Sequence, residues 1–212
     1  MPPAANDPTA RELAGARAPE RIDLGGETVR LTELDPPRRA AELFAATHGD
    51  PEGEAVWSYM AYGPFESEAA MAEWMSRCAA SADPRFLAVI DLASGRALGM
   101  TSYLNVRPAM GVLEIGNIWY VPSAQRTRVN TEACWLLLRH AFEDLGYRRV
   151  EWKCDARNER SRGAALRLGF SFEGIFRQHM IVKGRNRDTA WFAMLDGEWP
   201  DRRRRLEERL AV

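Results

Sequence analysis

Glu114 is the residue of this chain best suited by its setting to move a proton. It lies in the run GVLEIGNIWYV, residues 111–121, and period-2 counting puts it on one face with Val112, Ile118 and Tyr120. A carboxylate in such apolar company is desolvated, which raises its pKa and suits a base that must act on an ammonium group. A paired structural carboxylate is the other reading. The strand is followed by Gln125-Arg126-Thr127-Arg128-Val129-Asn130 and a helix expected from about Thr131 to Leu145. The unpaired N–H groups and dipole of a helix start favour an anion, and two arginines nearby add forked phosphate donors. Four aromatic residues, Trp57, Tyr59, Tyr62 and Phe65, fall in the loop-like stretch 48–66. They either line a pocket for a flat, apolar or cationic ligand or simply pin the loop. His179, in a closing hairpin, borders such a pocket if the hairpin folds over it; Asp188 in RNRDT reads as a charged strand edge. Cys78, Cys134, Cys154 and His48, His140, His179 are scattered without metal-ligand spacing, so no metal is expected. Cys154 reads as a small buried hydrophobe.

The elements that must position these residues follow from periodicity. Glu27–Leu34 alternates as a first strand, and Pro36-Pro37 open a helix through about Thr47. Ser67-Glu68 start a second helix to about Ala80, with Met71, Trp74, Met75 and Cys78 on its apolar face. Arg85–Leu92, Arg96–Val106 and Gly111–Val121 form a meander. After the helix stopped by Gly146 come a strand Arg148–Asp155, a helix Asn158–Leu168 stopped by Gly169, and a hairpin, Phe170–Val182 with Arg187–Leu195, turning at Lys183-Gly184. The predicted organisation is a flexible tail over 1–20, one domain over 21–200 and a charged helix over 201–212. Meander strands preceding two strand–helix units imply a mixed sheet.

The chain has 212 residues, 46% hydrophobic and 28% charged, with a net charge of −1. This is a globular composition without the charge of a nucleic-acid binder. Of the 29 basic residues only Lys153 and Lys183 are lysine. Most of the arginines read as compositional background, with Arg126 and Arg128 set apart by their loop. No apolar run approaches the roughly 18 residues of a membrane span. The segment MPPAANDPTARELAGARAPER has no apolar signal core. The expectation is a cytoplasmic protein with reduced thiols and no membrane partner.

The element order, together with VPSAQRTRVNTEACWLLLRHAFEDLGYRRVEWKCDARNERSRGAALRLGFSFEGIFRQHM, resembles the GCN5-related N-acetyltransferase (GNAT) superfamily. Within it the chain is similar to the branch of ribosomal-protein N-terminal acetyltransferases, over about 27–200. The resemblance implies an α/β (α+β) fold: a mixed, mostly antiparallel sheet of about seven strands, splayed between the fourth and fifth, with about four helices. It implies acetyl-CoA as co-substrate and direct transfer to an amine, without a metal or a covalent intermediate. The pantetheine arm would pair with Ile118, Trp119, Tyr120 and Val121, a backbone N–H there polarising the thioester. The phosphates would meet Gln125, Arg126, Thr127, Arg128, Val129, Asn130 and Thr131. Arg128 stands where the family usually has glycine and Asn130 where it has a small residue, so the arginines either contact phosphate or narrow the loop. Asn158 matches the family's arm-binding asparagine, and equally reads as a helix N-cap. Ser161 matches a position proposed to protonate the thiolate, with Glu114 as general base. Trp57, Tyr59, Tyr62, Phe65 and His179 would bound the acceptor. A small-molecule or aminoacyl amine is preferred over a protein N-terminus. A non-catalytic acyl-CoA-binding module is the alternative, and the branch also implies a homodimer.

Overall fold

The structure is a computed structural model and describes residues 15–211. One eight-stranded sheet runs through it in the order β1-β2-β3-β4-β5-β6-β8-β7. The strands are β1 (Asp23–Gly25), β2 (Val29–Glu33), β3 (Arg85–Asp91), β4 (Ala97–Arg107), β5 (Val112–Tyr120), β6 (Arg149–Asp155), β7 (Ser171–Val182) and β8 (Arg185–Leu195). The helices are α1 (Pro36–Thr47), α2 (Pro51–Glu54), α3 (Glu68–Ala79), α4 (Val129–Arg139), α5 (Glu159–Leu168) and α6 (Trp199–Leu210). All neighbouring strands are antiparallel except β5 and β6. The class is as expected, with more elements than expected: eight strands for about seven, six helices for about four. The additions are short. β1 is a three-residue strand beside β2, and α2 interrupts the expected 48–66 loop because Asp50 caps it, accepting from Glu52 N and Gly53 N.

Local signals explain the helix ends. α1 begins on two prolines, where the missing N–H groups have no partner to lose. Ser67 caps α3 by accepting from Ala70 N, and Gly169 ends α5 at φ +97. α4 starts two residues earlier than expected and gives way at His140–Asp144 to one π-helical turn before Gly146. The expected tail is described only from Gly15. There Ala16 N donates to Pro108 O and Arg17 N to Leu145 O, so 15–17 lie against the body; residues 1–14 fall outside the described part.

Two features of β5 position the site. The pairing of β5 with β6 covers only Val112↔Arg149, Leu113↔Val150 and Glu114↔Glu151. Beyond Glu114 the two strands run on unpaired, which is the splay expected between the fourth and fifth strands once the added β1 is counted. The second feature is a bulge. Ser102 faces Gly116, but Met100 faces Trp119, and Asn117 takes φ +52. One extra residue inverts the alternation of faces beyond it. Tyr103, opposite Ile115, sends its hydroxyl to Leu137 O of α4, so odd-numbered β4 residues up to Tyr103 face α4. Tyr120, opposite Gly99, therefore faces α4 too. The expectation that Tyr120 shares a face with Glu114 is corrected: Trp119 does. Period-2 counting failed because a bulge has no period.

Candidate active site

Glu114 sits at the fork where β5 and β6 part, with its side chain on the face opposite α4. It is 5% exposed. Its Oε2 accepts from Asn105 Nδ2 at 2.7 Å and lies 2.9 Å from Lys153 Nζ. Among the described residues Oε1 has no partner, and it borders Gly116. A Cβ at Gly116 would stand 3.5 Å from Oε1 and 3.0 Å from Leu104 Cδ2, so glycine keeps this oxygen clear. Burial pushes the Glu114 pKa up, against the opposing pull of Lys153 and Asn105. The neighbouring Glu151 ends below its ordinary value: burial raises it, but Arg149 and Lys153 outweigh that. Two carboxylates facing one lysine thus divide their roles, one held ionised and one poised to take a proton.

Lys153 was missed by pattern reading. Its ammonium touches Glu114 at 2.9 Å and Glu151 at 3.0 Å and lies 3.8 Å above the Trp191 ring centre. Trp191 continues outward to Phe176, at 4.6 Å between centroids, and to His179, whose Nδ1 lies 3.0 Å from Thr189 Oγ1. Trp191, Phe176 and His179 thus form an aromatic wall on the fork's face of β7 and β8. The available signal for Lys153 was its rarity in an arginine-rich chain.

The aromatic stretch after α2 faces the same side. Trp57 is fully buried, donates from Nε1 to Thr47 O at 3.1 Å and packs 4.8 Å from Trp119. Phe65 and Tyr62 pack on Trp74, and Phe65 N donates to His48 Nε2 at 2.9 Å. Packing therefore occupies most of this stretch, and only Tyr59 is exposed, its hydroxyl donating to Arg157 O at 3.2 Å. The stretch is also tied to the β7–β8 hairpin. Lys183, at φ +47 in the turn, donates from Nζ to Trp57 O at 3.1 Å and to Gly63 O.

The loop after β5 separates its two arginines. Arg128 bonds Glu27 at 3.0 Å and lies 3.8 Å from Glu132, a buried carboxylate of α4 that accepts from Glu27 N, Thr28 N and Thr28 Oγ1. Arg128 thus neutralises a carboxylate that locks α4 to the β1–β2 turn. Arg126 has no ion pair among the described residues and adopts φ +60. It lines a cleft of about 130 Å³ with Gln125, Pro122, Glu52 and Arg160. Arg160, on the first turn of α5, was also missed, because nothing in the sequence brings α5 to this loop. Gln125 Nε2 donates to Tyr120 O, Thr127 Oγ1 to Ala124 O, and Asn130 Oδ1 accepts from Cys134 Sγ. Val129 N also donates to Thr127 Oγ1 at 3.3 Å, so these side chains shape the loop and leave the backbone N–H groups of Asn130 and Thr131 at the start of α4.

On the far side of the fork, Asn158 caps α5 by accepting from Ser161 N at 3.1 Å. Ser161 Oγ accepts from Trp152 Nε1 at 3.0 Å, so its own hydroxyl serves as a donor, with the Cys154 sulfur within hydrogen-bonding reach. Burial holds the Cys154 thiol above its ordinary value, which makes it a poor nucleophile. Asp188 accepts from Gln178 N and Asn186 Nδ2 and closes the β7 bulge. His140 pairs with Asp144 at 2.9 Å, away from the fork. Among the described residues there is no cluster able to hold a metal, and no helix is long and apolar enough to cross a membrane.

Comparison with known proteins agrees with this geometry. Residues 30–171 match the acetyltransferase (GNAT) domain. The solved structure of a GCN5-related N-acetyltransferase from Brucella melitensis is 43% identical, with TM-score 0.89, over 92% of this chain and 88% of that one. A structure described as a probable acetyltransferase (GNAT family) from Chromobacterium violaceum ATCC 12472 is 44% identical, with TM-score 0.83, over 94% and 99%. A Bacillus subtilis (strain 168) protein named "Putative ribosomal N-acetyltransferase YdaF" is 29% identical over 176 residues, 81% of this chain and 92% of that protein. The splayed strands, the arginine-lined cleft and the carboxylate at the fork thus belong to a member of the GNAT family, and the chain is an N-acetyltransferase.

Proposed function

We propose that this N-acetyltransferase takes its acetyl group from acetyl-CoA and delivers it to the primary amine of a small molecule or aminoacyl compound. Acetyl-CoA supplies a thioester, already activated toward an amine. The residues around the fork suit it. The edge of β5 over Ile118–Tyr120 that β6 leaves unpaired offers backbone groups to the pantetheine arm; Val121, whose N–H donates to Leu98 O and whose carbonyl accepts from Ala124 N, ends that edge. Arg126, Arg160 and the first N–H groups of α4 offer phosphate donors. Glu114 Oε1 removes a proton from the acceptor's ammonium group, and the neutral amine becomes the nucleophile. Ser161 Oγ, aligned by Trp152, donates a hydrogen bond where the thiol departs.

The observation that carries the acceptor class is the bridge from Lys183 to Trp57 O and Gly63 O. A polypeptide must enter through an open groove, and this bridge joins the two walls that would flank one. The exposed apolar side chains of β7, an edge strand, support a homodimer in which a second copy covers that edge: Phe172, Ile175, Phe176 and Met180 are each 45% exposed or more. No nucleic-acid partner is proposed, in keeping with the net charge of −1.

The test is thermal shift with acetyl-CoA, followed by thiol release across a panel of amines and N-terminal peptides. Saturating acetyl-CoA should raise Tm by mass action, and small amines should outpace peptides. A shift with acetyl-CoA but no thiol release with any acceptor would leave a non-catalytic acyl-CoA-binding module as the reading, and no shift at all would count against acetyl-CoA as the co-substrate. Turnover confined to peptides would assign a protein N-terminus instead. Glu114→Gln should lower kcat by about 10²–10⁴-fold if Glu114 is the base.

A further inference from the structure

Among 29 basic residues the two lysines are Lys153 and Lys183, and both ammonium groups lie on the acceptor side of the fork. Elsewhere this chain uses arginine for its ion pairs. At position 153 the demand is different. A compact ammonium meets Glu114 and Glu151 at 2.9 and 3.0 Å and an indole face at 3.8 Å. A planar guanidinium, which favours side-by-side contacts with one carboxylate, does not fill a site with carboxylates on two sides and a ring beneath.

We propose that Lys153 is a positioning residue of acetyl transfer: its ammonium pins one oxygen of Glu114 and holds that carboxylate ionised, so that the other oxygen remains free for the acceptor's proton. Three observations carry this. Oε2 of Glu114 is doubly engaged, by Lys153 and Asn105, while Oε1 is unpartnered beside Gly116. Lys153 cannot relax away from Glu114 without losing Glu151 and Trp191 as well. Its position on β6 is two residues, one same-face step, beyond the last β5–β6 match, Glu114↔Glu151, which places its head at the mouth of the splay.

The charges around Glu114 are few. Lys153 and Glu151 of β6 face it directly. Arg149 of β6 and Arg107 of β4 reach Glu151, at 2.9 and 3.6 Å, and Glu173 of β7 holds Arg149 at 2.6 Å. Removing the Lys153 charge leaves burial and Glu151, both of which favour the protonated form of Glu114, opposed only by the Asn105 hydrogen bond. A base that is already protonated takes no proton, so activity should survive only at higher pH. This inference rests on Glu114 as the base, and its test reads Glu114 directly so that the two can fail separately.

The experiment follows the side-chain carboxyl resonance of Glu114 by NMR against pH in the full chain carrying ¹³C-labelled glutamate. Glu114→Gln assigns the signal, and no acceptor is needed. In Lys153→Gln the Glu114 titration should move up by about one pH unit or more. In Lys153→Arg, which keeps the charge, it should move less. The acid limb of kcat/KM, measured with the fastest amine of the panel, should follow the same shifts. A titration that stays in place in a folded Lys153→Gln protein overturns the inference, as does an arginine variant that shifts as far as the glutamine one. If Lys153→Gln does not fold, the comparison of Lys153→Arg with the unsubstituted chain decides: an unmoved Glu114 titration alongside an acid limb shifted by a unit overturns it. Retained activity in Glu114→Gln with an unchanged pH profile would remove Glu114 as the base, while leaving the titration result standing.

Discussion

Arg126 and Arg128 are two residues apart in one loop, and replacing them separately should give opposite signatures. Arg128→Ala removes an exposed pair with Glu27, which contributes at most about 1 kcal/mol. It also removes the countercharge 3.8 Å from Glu132, a carboxylate only 2% exposed. Stripping the partner from a fully buried ion costs about 3–5 kcal/mol. Here the Arg128 side chain is 39% exposed and the Glu27–Thr28 turn still donates three hydrogen bonds to Glu132, so the cost falls well below that range. A total of about 1–2 kcal/mol corresponds to a fall in Tm of about 2–8 °C for a chain of this size. Acetyl-CoA affinity should change by less than about 3-fold, a fraction of a kcal/mol. Arg126→Gly should do the reverse. Glycine accepts φ +60 without the Cβ clash, worth about 1 kcal/mol, although its greater freedom in the unfolded chain offsets part of that gain. Tm should hold or rise by up to about 4 °C. Losing one charged donor to phosphate, about 1.5–3 kcal/mol, weakens acetyl-CoA binding by roughly 10- to 150-fold. Differential scanning fluorimetry of the ligand-free proteins and calorimetric titration with acetyl-CoA measure both. Unchanged affinity in Arg126→Gly, together with tenfold weaker binding in a fully stable Arg128→Ala, would refute the division of labour between the two arginines.

Three further outcomes follow from the same geometry. Glu132→Ala leaves the Glu27 and Thr28 donors without their acceptor and should cost about 2–4 kcal/mol in urea unfolding; a change under 0.5 kcal/mol, roughly the scale of a plain surface substitution, would show that water replaces the carboxylate. Lys183→Met should uncouple the hairpin from the aromatic stretch, raising KM for a small amine more than it lowers kcat and admitting longer peptide amines; unchanged steady-state kinetics on both would remove the bridge as an acceptor determinant. Stability should fall in acid, because Asp91, Asp155 and Glu173 are held below their ordinary pKa values, chiefly by Ser94, Arg157 and Arg149. Their contribution is present above the unfolded carboxylate range near pH 4 and is lost as pH drops through the lower folded values. Glu114 acts in the opposite sense: its raised folded pKa lets stability decline as pH climbs from about 4.5. Glu114→Gln should flatten that upper limb and leave the acid limb alone, as read by Tm across pH.

Those expectations came from two kinds of reading, and the residues show where each stops. Local chemistry was legible in the sequence. Proline at a helix start, Asn158 as an N-cap, Gly169 past a helix end and Lys183-Gly184 in a tight hairpin all act within a few residues, and the structure has each where expected. The element order and the arginine loop between β5 and α4 were legible for the same reason, as was Glu114 on a buried strand. Four decisive features were not. The bulge at Asn117 exchanges Trp119 for Tyr120 on the fork's face. Arg128 spends its charge on Glu27 and Glu132, residues from both sides of the sequence. Arg160 reaches the Arg126 cleft from α5. Lys153 meets Glu114 across the fork.

The sequence by itself determined the main helices and strands, though not the short β1 and α2, which residue types are available at the fork and that the family is one that transfers acetyl groups to amines. Short-range sterics, capping and periodicity carry that information along the chain. Tertiary structure alone decided which oxygen of Glu114 is free, which arginine of the loop is ion-paired and which lysine balances the carboxylates. Those choices depend on strand register and on contacts between residues about 40 to 100 positions apart, and a change of one residue in register reassigns every one of them.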